Sequence, residues 1–224
     1  MAVQAGEGTT EIIYGTTSIP AGPVTLGGYL ARPDGRGEWP TVLIYGPEPH
    51  PTSSVKNICR VLARHGIAAL APECTSDHVL NKRIALQVAG FISDPGGTWS
   101  NAQFGYGVLG IGAGTYDASA NATGDGRVAA IAVVGGVLDE RVEEEVSVSD
   151  IPSLFVASRG DDSNDVENSL DRQQALPRMK FVIYPADAPA GWWNDEAEGF
   201  DEERASDTWD RVIAFFAEQL PPRA

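Results

Sequence analysis

Short apolar runs alternate with helix-period stripes along most of the chain. Glu11 to Thr17 and Val24 to Ala31 read as two strands, with Pro20-Ala21-Gly22-Pro23 as the turn of an antiparallel pair and Pro33-Asp34-Gly35 as the next turn. Thr41 to Tyr45 is continuously apolar after its first residue, as a strand covered on both faces must be. Ser53 or Ser54 suits the cap of a helix whose Val55, Ile58, Cys59 and Leu62 form one stripe, and Gly66 ends it. Ile67 to Ala71 predicts a buried strand stopped by Pro72. Residues 80–93 predict a helix with Ile84, Val88 and Phe91 inward, and Asp94-Pro95-Gly96-Gly97 a loop. Strands are expected before the glycines at 110–114, at Val128–Val134, at Ser153–Ala157 and at Lys180–Tyr184, with a helix over 165–175. Ala205, Thr208, Trp209, Val212, Ile213 and Phe216 predict a C-terminal helix. Helices alternating with strands after an antiparallel start predict an α/β domain with a mostly parallel, doubly wound sheet and helices on both faces. No repeat, low-complexity segment or linker divides the chain, so residues 1–224 are read as a single domain.

One stretch departs from ordinary strand-and-helix chemistry. Tyr106 to Thr115 reads as a buried strand, a sharp turn and a helix start, with glycine at 110, 112 and 114. That spacing is the one used to lift a nucleophile above a parallel sheet, the outer glycines allowing strand and helix to pass closely. The middle position is Gly112, which brings no nucleophile. A dinucleotide fingerprint is the competing reading, but it requires Gly or Ala where Thr115 stands, and the turn follows a late strand.

Charge narrows the partners. The 224 residues carry 16 basic and 31 acidic side chains, a net charge of −15, which disfavours nucleic acid and anionic membrane surfaces. The acidic residues crowd into 139–167 and 195–210 as solvated faces. Cys59 and Cys74 lack metal-ligand spacing and are read as reduced, structural thiols of a cytoplasmic protein. Residues 1–10 have neither a basic nor an apolar signal region, and no apolar run nears the ~20 residues that span a bilayer.

From Gly28 to Leu220 the chain resembles the dienelactone hydrolase family. The resemblance is carried by Gly28-Tyr29-Leu30-Ala31-Arg32-Pro33, by Val61 to Pro72, by the glycine turn, and by Pro152-Ser153-Leu154-Phe155 leading to Asp161. Tyr184-Pro185, Gly191-Trp192-Trp193-Asn194-Asp195 and Trp209 to Phe216 complete it. It implies an α/β-hydrolase fold and a triad of nucleophile, acid and histidine. In this chain the nucleophile position is Gly112 and the histidine position is Ala190. The acid remains as Asp161, with Asp162 beside it. The oxyanion hole would use the amide of Ala113 and one from the loop Gly46-Pro47-Glu48-Pro49-His50-Pro51, where only Glu48 and His50 among 47–51 carry an N–H.

Other groups are expected around the emptied position. The resemblance puts Glu48 where the family holds a glutamate near its nucleophile, so it is either a general acid or base or a solvated loop carboxylate. His50, in the same proline-fenced loop, is a held imidazole or an ordinary loop histidine. His65 reads as a helix C-terminal cap, and His78 lies in a polar loop. Asp161 is a retained acid or a relic bonding backbone amides. Tyr45, Ile111, Gly112, Ala113, Ala190, Trp192 and Trp193 are expected to line a substrate site, with one tryptophan packing instead on the C-terminal helix. Neither a metal nor another cofactor is expected, and the expected partner is a small-molecule or peptide-like substrate.

Three functions follow as expectations. The first is a non-hydrolytic isomerase, epimerase or cyclase acting on a natural product or modified peptide. The second is a ligand-binding or partner-stabilising protein without catalysis. The third is residual hydrolysis through Ser100, Thr115 or Cys74.

Overall fold

The computed structural model describes residues 8–21, 24–94, 98–137, 142, 146, 150–161, 166 and 178–223. Ile12–Ala21 (β1) and Val24–Pro33 (β2) form the antiparallel pair. Thr41–Tyr45 (β3), Ala68–Pro72 (β4), Tyr106–Ile111 (β5), Val128–Val134 (β6), Ser153–Gly160 (β7) and Met179–Pro189 (β8) complete one eight-stranded sheet. Its order is β1-β2-β4-β3-β5-β6-β7-β8. β2 meets β4 antiparallel, and every pairing from β4 through β8 is parallel.

The helices cover both faces. Ser53–Arg64 (α1) and Glu202–Gln219 (α4) bury Val55, Ile58, Leu62, Val212 and Phe216 against one side of the sheet. His78–Ser93 (α2) and Thr115–Gly124 (α3) bury Ile84, Val88, Ala118 and Ala122 on the other. β3, β4 and β5 are buried at every position because both faces are covered, which is why they read as unbroken apolar runs.

Several boundaries differ from the sequence expectation. Thr52, rather than Ser53 or Ser54, caps α1: its hydroxyl accepts from the Val55 amide at 3.3 Å. β1 runs on to Ala21, β7 to Gly160 and β8 to Pro189. β8 passes through Pro185 because it is an edge strand, where a missing N–H breaks no ladder on the open side. Phe91 is only half-buried and lies 6.3 Å from the Trp99 ring. His65 caps α1 as expected, its ring Nδ1 lying 2.8 Å from the Val61 carbonyl. The helix expected over 165–175 lies outside the described residues except for Val166, which is helical and buried. Much of the acidic stretch 139–167 also falls outside them. Both cysteines are free, Cys59 buried and Cys74 half-buried. Among the described residues no helix is long and apolar enough to cross a membrane.

A buried polar chain runs beneath α3. Asn121 Nδ2 donates to the Tyr45 hydroxyl at 2.6 Å. The Tyr106 hydroxyl lies 2.8 Å from Asn121 Oδ1 and 3.1 Å from Asp125 Oδ2, and Arg127 closes on Asp125 at 2.6 and 2.9 Å. Burial raises the pKa of both tyrosines well above the ordinary phenol, so they serve as neutral hydrogen-bonding groups. At Asp125 burial pushes the pKa upward, but the hydrogen bonds and charge of Arg127 outweigh it and leave the carboxyl below its usual value.

Asn121→Ala strips the Tyr45 hydroxyl of its donor and Tyr106 of one acceptor. It is expected to cost about 1–3 kcal/mol, read as a Tm lower by roughly 2–10 °C in thermal unfolding. Asp125 contributes stability that is present above the unfolded aspartate pKa of ~3.9 and is lost as pH falls through its lower folded value. Asp125→Asn should therefore flatten the fall in urea-denaturation stability below about pH 4.

Candidate functional site

β5 ends at Ile111 and passes through a 3₁₀ turn, Gly112–Gly114, straight into α3. Two glycines make this turn possible. Gly112 has φ +54, in the left-handed region. A Cβ on Gly114 would lie 2.1 Å from the Tyr45 carbonyl oxygen, so the start of α3 passes against the end of β3 with no room for a side chain. The Thr115 hydroxyl donates to the Gly112 carbonyl at 2.8 Å and is buried beneath Gly136. The apex itself is tight but not blocked by backbone. A Cβ on Gly112 would meet only the Pro47 Cβ, at 3.3 Å. Ala113 is exposed.

The positions matching the acid and the histidine lie together on the same carboxyl edge. Gly160 pairs with Pro189, so Asp161 and Ala190 each follow one residue after a paired position on adjacent strands. Ser158 fastens this corner. Its hydroxyl donates to the Ala188 carbonyl and accepts from the Gly160 amide at 3.0 Å, while the Asp161 amide donates to the Ser158 carbonyl at 3.3 Å. Asp161 is 7% exposed, and Ala190 is exposed. The segment after β8 is held by successive turns, Trp192 to Pro189, Asn194 to Gly191 and Asp201 to Trp192. Asn57 of α1 donates to Asp195 at 2.8 Å and ties this segment to the helix. Trp193 packs against Gly135, where a Cβ would lie 2.4 Å from the indole Nε1.

Four residues expected to line the site are buried in the core, Trp193 at 8% exposure among them. Tyr45 is 1% exposed because it points with Leu43 toward α2 and α3, where Asn121 holds its hydroxyl. It is neither a wall of the apex nor a proton donor there. Ile111 is fully buried and packs with Leu109 on the opposite face. Trp192 is fully buried, donates to Thr208 of α4 at 3.1 Å and meets Tyr184 edge-on at 5.7 Å. It is therefore the tryptophan that packs on the C-terminal helix. Glu48 and His50 are exposed on their loop, and His50 Nδ1 lies 3.4 Å from Glu73 Oε1. The loop is tied down by the Cys74 amide, which donates to the Pro49 carbonyl at 2.7 Å.

The structure thus brings together Gly112, Ala113, Trp193, Ala190 and Asp161 along one edge. Sequence reasoning considered Thr115 only as a nucleophile and missed Ser158 and the Gly135-Gly136 pair. A glycine pair directly after an apolar strand was the available signal for the last. Asp162 lies outside the described residues, and so does the His78 side chain. Among the described residues no group of three or more His, Cys, Asp or Glu is placed to hold a metal.

The alternative nucleophiles are poorly placed. Ser100 lies at the other end of the sheet, where Thr41 donates to it at 2.8 Å. Thr115 is buried and occupied by Gly112. Burial pushes the Cys74 thiol up to about 12, and nearby Asp117 adds to the shift, so the thiolate is scarce at neutral pH.

No protein-family model matches the sequence, and no curated protein matches it significantly. Solved structures do match in shape. A protein of Klebsiella pneumoniae described as a dienelactone hydrolase superposes with a TM-score of 0.74 at 23% identity, over 93% of this chain and 99% of that one. A dienelactone hydrolase-like promiscuous phosphotriesterase from metagenomic libraries gives 0.77 at 14% identity, over 94% and 99%. The dienelactone hydrolase of Anabaena variabilis gives 0.69 at 17%, again over 94% and 99%. The chain has the α/β-hydrolase fold. Within that fold the glycine turn Gly112–Gly114 joins β5 to α3 at the carboxyl edge of the sheet.

The two turn glycines should respond differently to a methyl group. Gly112→Ala should fold and lose roughly 1–3 kcal/mol for a left-handed residue with a Cβ. Gly114→Ala should fail to fold or lose considerably more in urea denaturation, because the methyl collides with backbone.

Proposed function

We propose that the chain is a non-hydrolytic enzyme, an isomerase, epimerase or cyclase working on a natural product or modified peptide above the elbow apex. The observation that carries this reading is the combination at the carboxyl edge. The elbow keeps its shape and is not blocked by backbone at Gly112, while a carboxylic acid, Asp161, stays held beside Ala190. Open α/β sheets bind ligands at the carboxyl ends of their strands. A substrate seated on Gly112 and Ala113 would lie between the elbow and the Asp161 corner. Asp161 takes a proton from one position of the substrate and returns it at another, so the product has the mass of the substrate. Ser158 acts as a positioning residue that fixes the Asp161 backbone. Glu48 and His50, on the exposed loop whose root Pro47 faces Gly112, close the site on substrate binding.

A purely ligand-holding role is the second reading. It is favoured by the exposure of Glu48 and His50, which leaves them apart from Asp161 in this structure.

Fluorophosphonate labelling separates these readings from acyl transfer. The native chain should remain unlabelled, and a Gly112→Ser, Ala190→His variant should take up label once the Pro47 side chain gives way by a few tenths of an ångström to the serine Cβ. Labelling of the native chain would overturn the non-hydrolytic reading. With a turned-over substrate in hand, Asp161→Asn should lower kcat by at least about 100-fold and abolish deuterium uptake from D₂O. Unchanged turnover in that variant would remove Asp161 from the chemistry, and stabilisation by a ligand without conversion would favour the holding role.

A further inference from the structure

The amino end of the sheet, opposite the elbow, carries a second concave site. A cleft of about 520 Å³ opens there between the Gly35–Gly37 turn after β2 and the Thr98-Trp99 segment before β5. Its side-chain lining is Arg32, Arg36, Glu38, Thr98 and Trp99. That volume lies within the ~300–1,000 Å³ usual for small-molecule sites.

The charge of this corner runs against that of the protein. The chain has 31 acidic and 16 basic side chains, yet guanidinium groups gather here. Arg32 Nη1 donates to the neighbouring Pro33 carbonyl at 3.3 Å, and neither Arg32 nor Arg36 makes an ion pair among the described residues. Arg223 stacks on the Trp39 ring at 4.0 Å and donates to the Arg36 carbonyl, which adds a third positive charge and pins the turn. The acidic group lining the cleft is Glu38, which accepts from Gln103 Nε2 at 2.8 Å, and the exposed Asp34 precedes the turn.

Polar side chains packed in the core lie next to the lining residues in the chain or bonded to them. Among the described residues four buried side-chain atoms lack a hydrogen-bond partner, and three of them are Trp39 Nε1, Asn101 Oδ1 and Gln103 Oε1. Trp39 follows Glu38 in the chain, and its backbone bonds Trp99 at 3.1 Å and Asn101 at 3.0 Å. Gln103 is the residue bonded to Glu38. Thr98 has φ +29, an uncommon value for a residue with a branched side chain. Trp99 is half-buried, with Phe91 6.3 Å away to support its ring.

We propose that this cleft binds a small molecule that carries a phosphate or carboxylate on a body with a flat ring. Arg32 and Arg36 take the oxyanion, since paired guanidinium forks match its geometry. Trp99 takes the ring by stacking. Glu38, which already accepts from Gln103, accepts a hydroxyl of the same ligand as well. The site is about 20 Å from the elbow, the length of a six-residue strand, so its occupant is not the substrate of the apex.

Isothermal titration of the full chain with AMP, adenosine and benzoate tests this. The expected result is saturable one-site binding of AMP or of benzoate. AMP without benzoate identifies a phosphate ligand, and benzoate without AMP a carboxylate. Adenosine, which has the ring and hydroxyls but no anion, should bind at least tenfold more weakly than AMP. Arg36→Ala, an exposed substitution that leaves the fold intact, should weaken the bound probe at least tenfold, and Trp99→Ala should do the same. Circular dichroism confirms that the tryptophan variant is folded. Absence of saturable binding by both anions overturns the proposal. Binding that Arg36→Ala leaves unchanged, or adenosine binding as tight as AMP, overturns it equally.

Discussion

The tightest approach of a glycine to backbone among the described residues is the passage of Gly114 over the end of β3. No side chain fits between that residue and the Tyr45 carbonyl. This contact sets where α3 begins and forces the chain to leave β5 through a left-handed residue at Gly112. It also decides how α3 lies on the sheet, and therefore where Asn121 meets Tyr45 and Tyr106. The polar chain beneath α3 is a consequence of that placement. It satisfies hydroxyls that would otherwise be buried without partners in an apolar layer.

The two faces of the sheet divide the work. α1 and α4 supply mainly apolar contact with one side, with Trp192 and Thr208 as a single buried polar pairing. The α2 and α3 side carries apolar packing together with the Tyr45-to-Arg127 chain. Both faces hold β5 rigidly, and β5 carries the elbow. A positional device of this kind needs the rest of the sheet to be immobile, and continuous burial of β3 through β6 supplies that immobility.

The order of strands and helices was legible in the chain because its apolar runs and helix-period stripes have different lengths and periods. Val55, Ile58, Cys59 and Leu62 announced one face of α1, and all four are buried. The elbow was equally plain from glycine spacing. What the sequence could not disclose was direction. In a strand covered on both faces, alternation gives two equivalent inward sides, so nothing in Thr41 to Tyr45 said whether Tyr45 faced the apex or α3. The same ambiguity placed Ile111 in the expected site when it belongs with Leu109 in the core. Trp192 and Trp193 are both buried in the same apolar layer, where Trp192 bonds Thr208 and Trp193 packs on Gly135. The second cleft had no signature at all. Its arginines belong to β2 and its turn, while Trp99 arrives from the approach to β5, and only the sheet brings them together.

The retained elbow bears on function in a particular way. A sharp strand-to-helix turn is usually taken as the mark of a nucleophile, since the strain at its apex is tolerated for catalysis. Here the sharpness is demanded by packing of Gly114 and Gly110 against neighbouring backbone, whatever stands at 112. Glycine at the apex removes the side-chain contribution to that strain and leaves the passage unchanged. The elbow is therefore evidence for the fold and carries no information about acyl transfer. Chemistry has to be argued from the groups that remain beside it. These are the exposed Ala113 and Ala190 and, buried beside them, Asp161, whose backbone is fixed by a serine that bridges the ends of two strands.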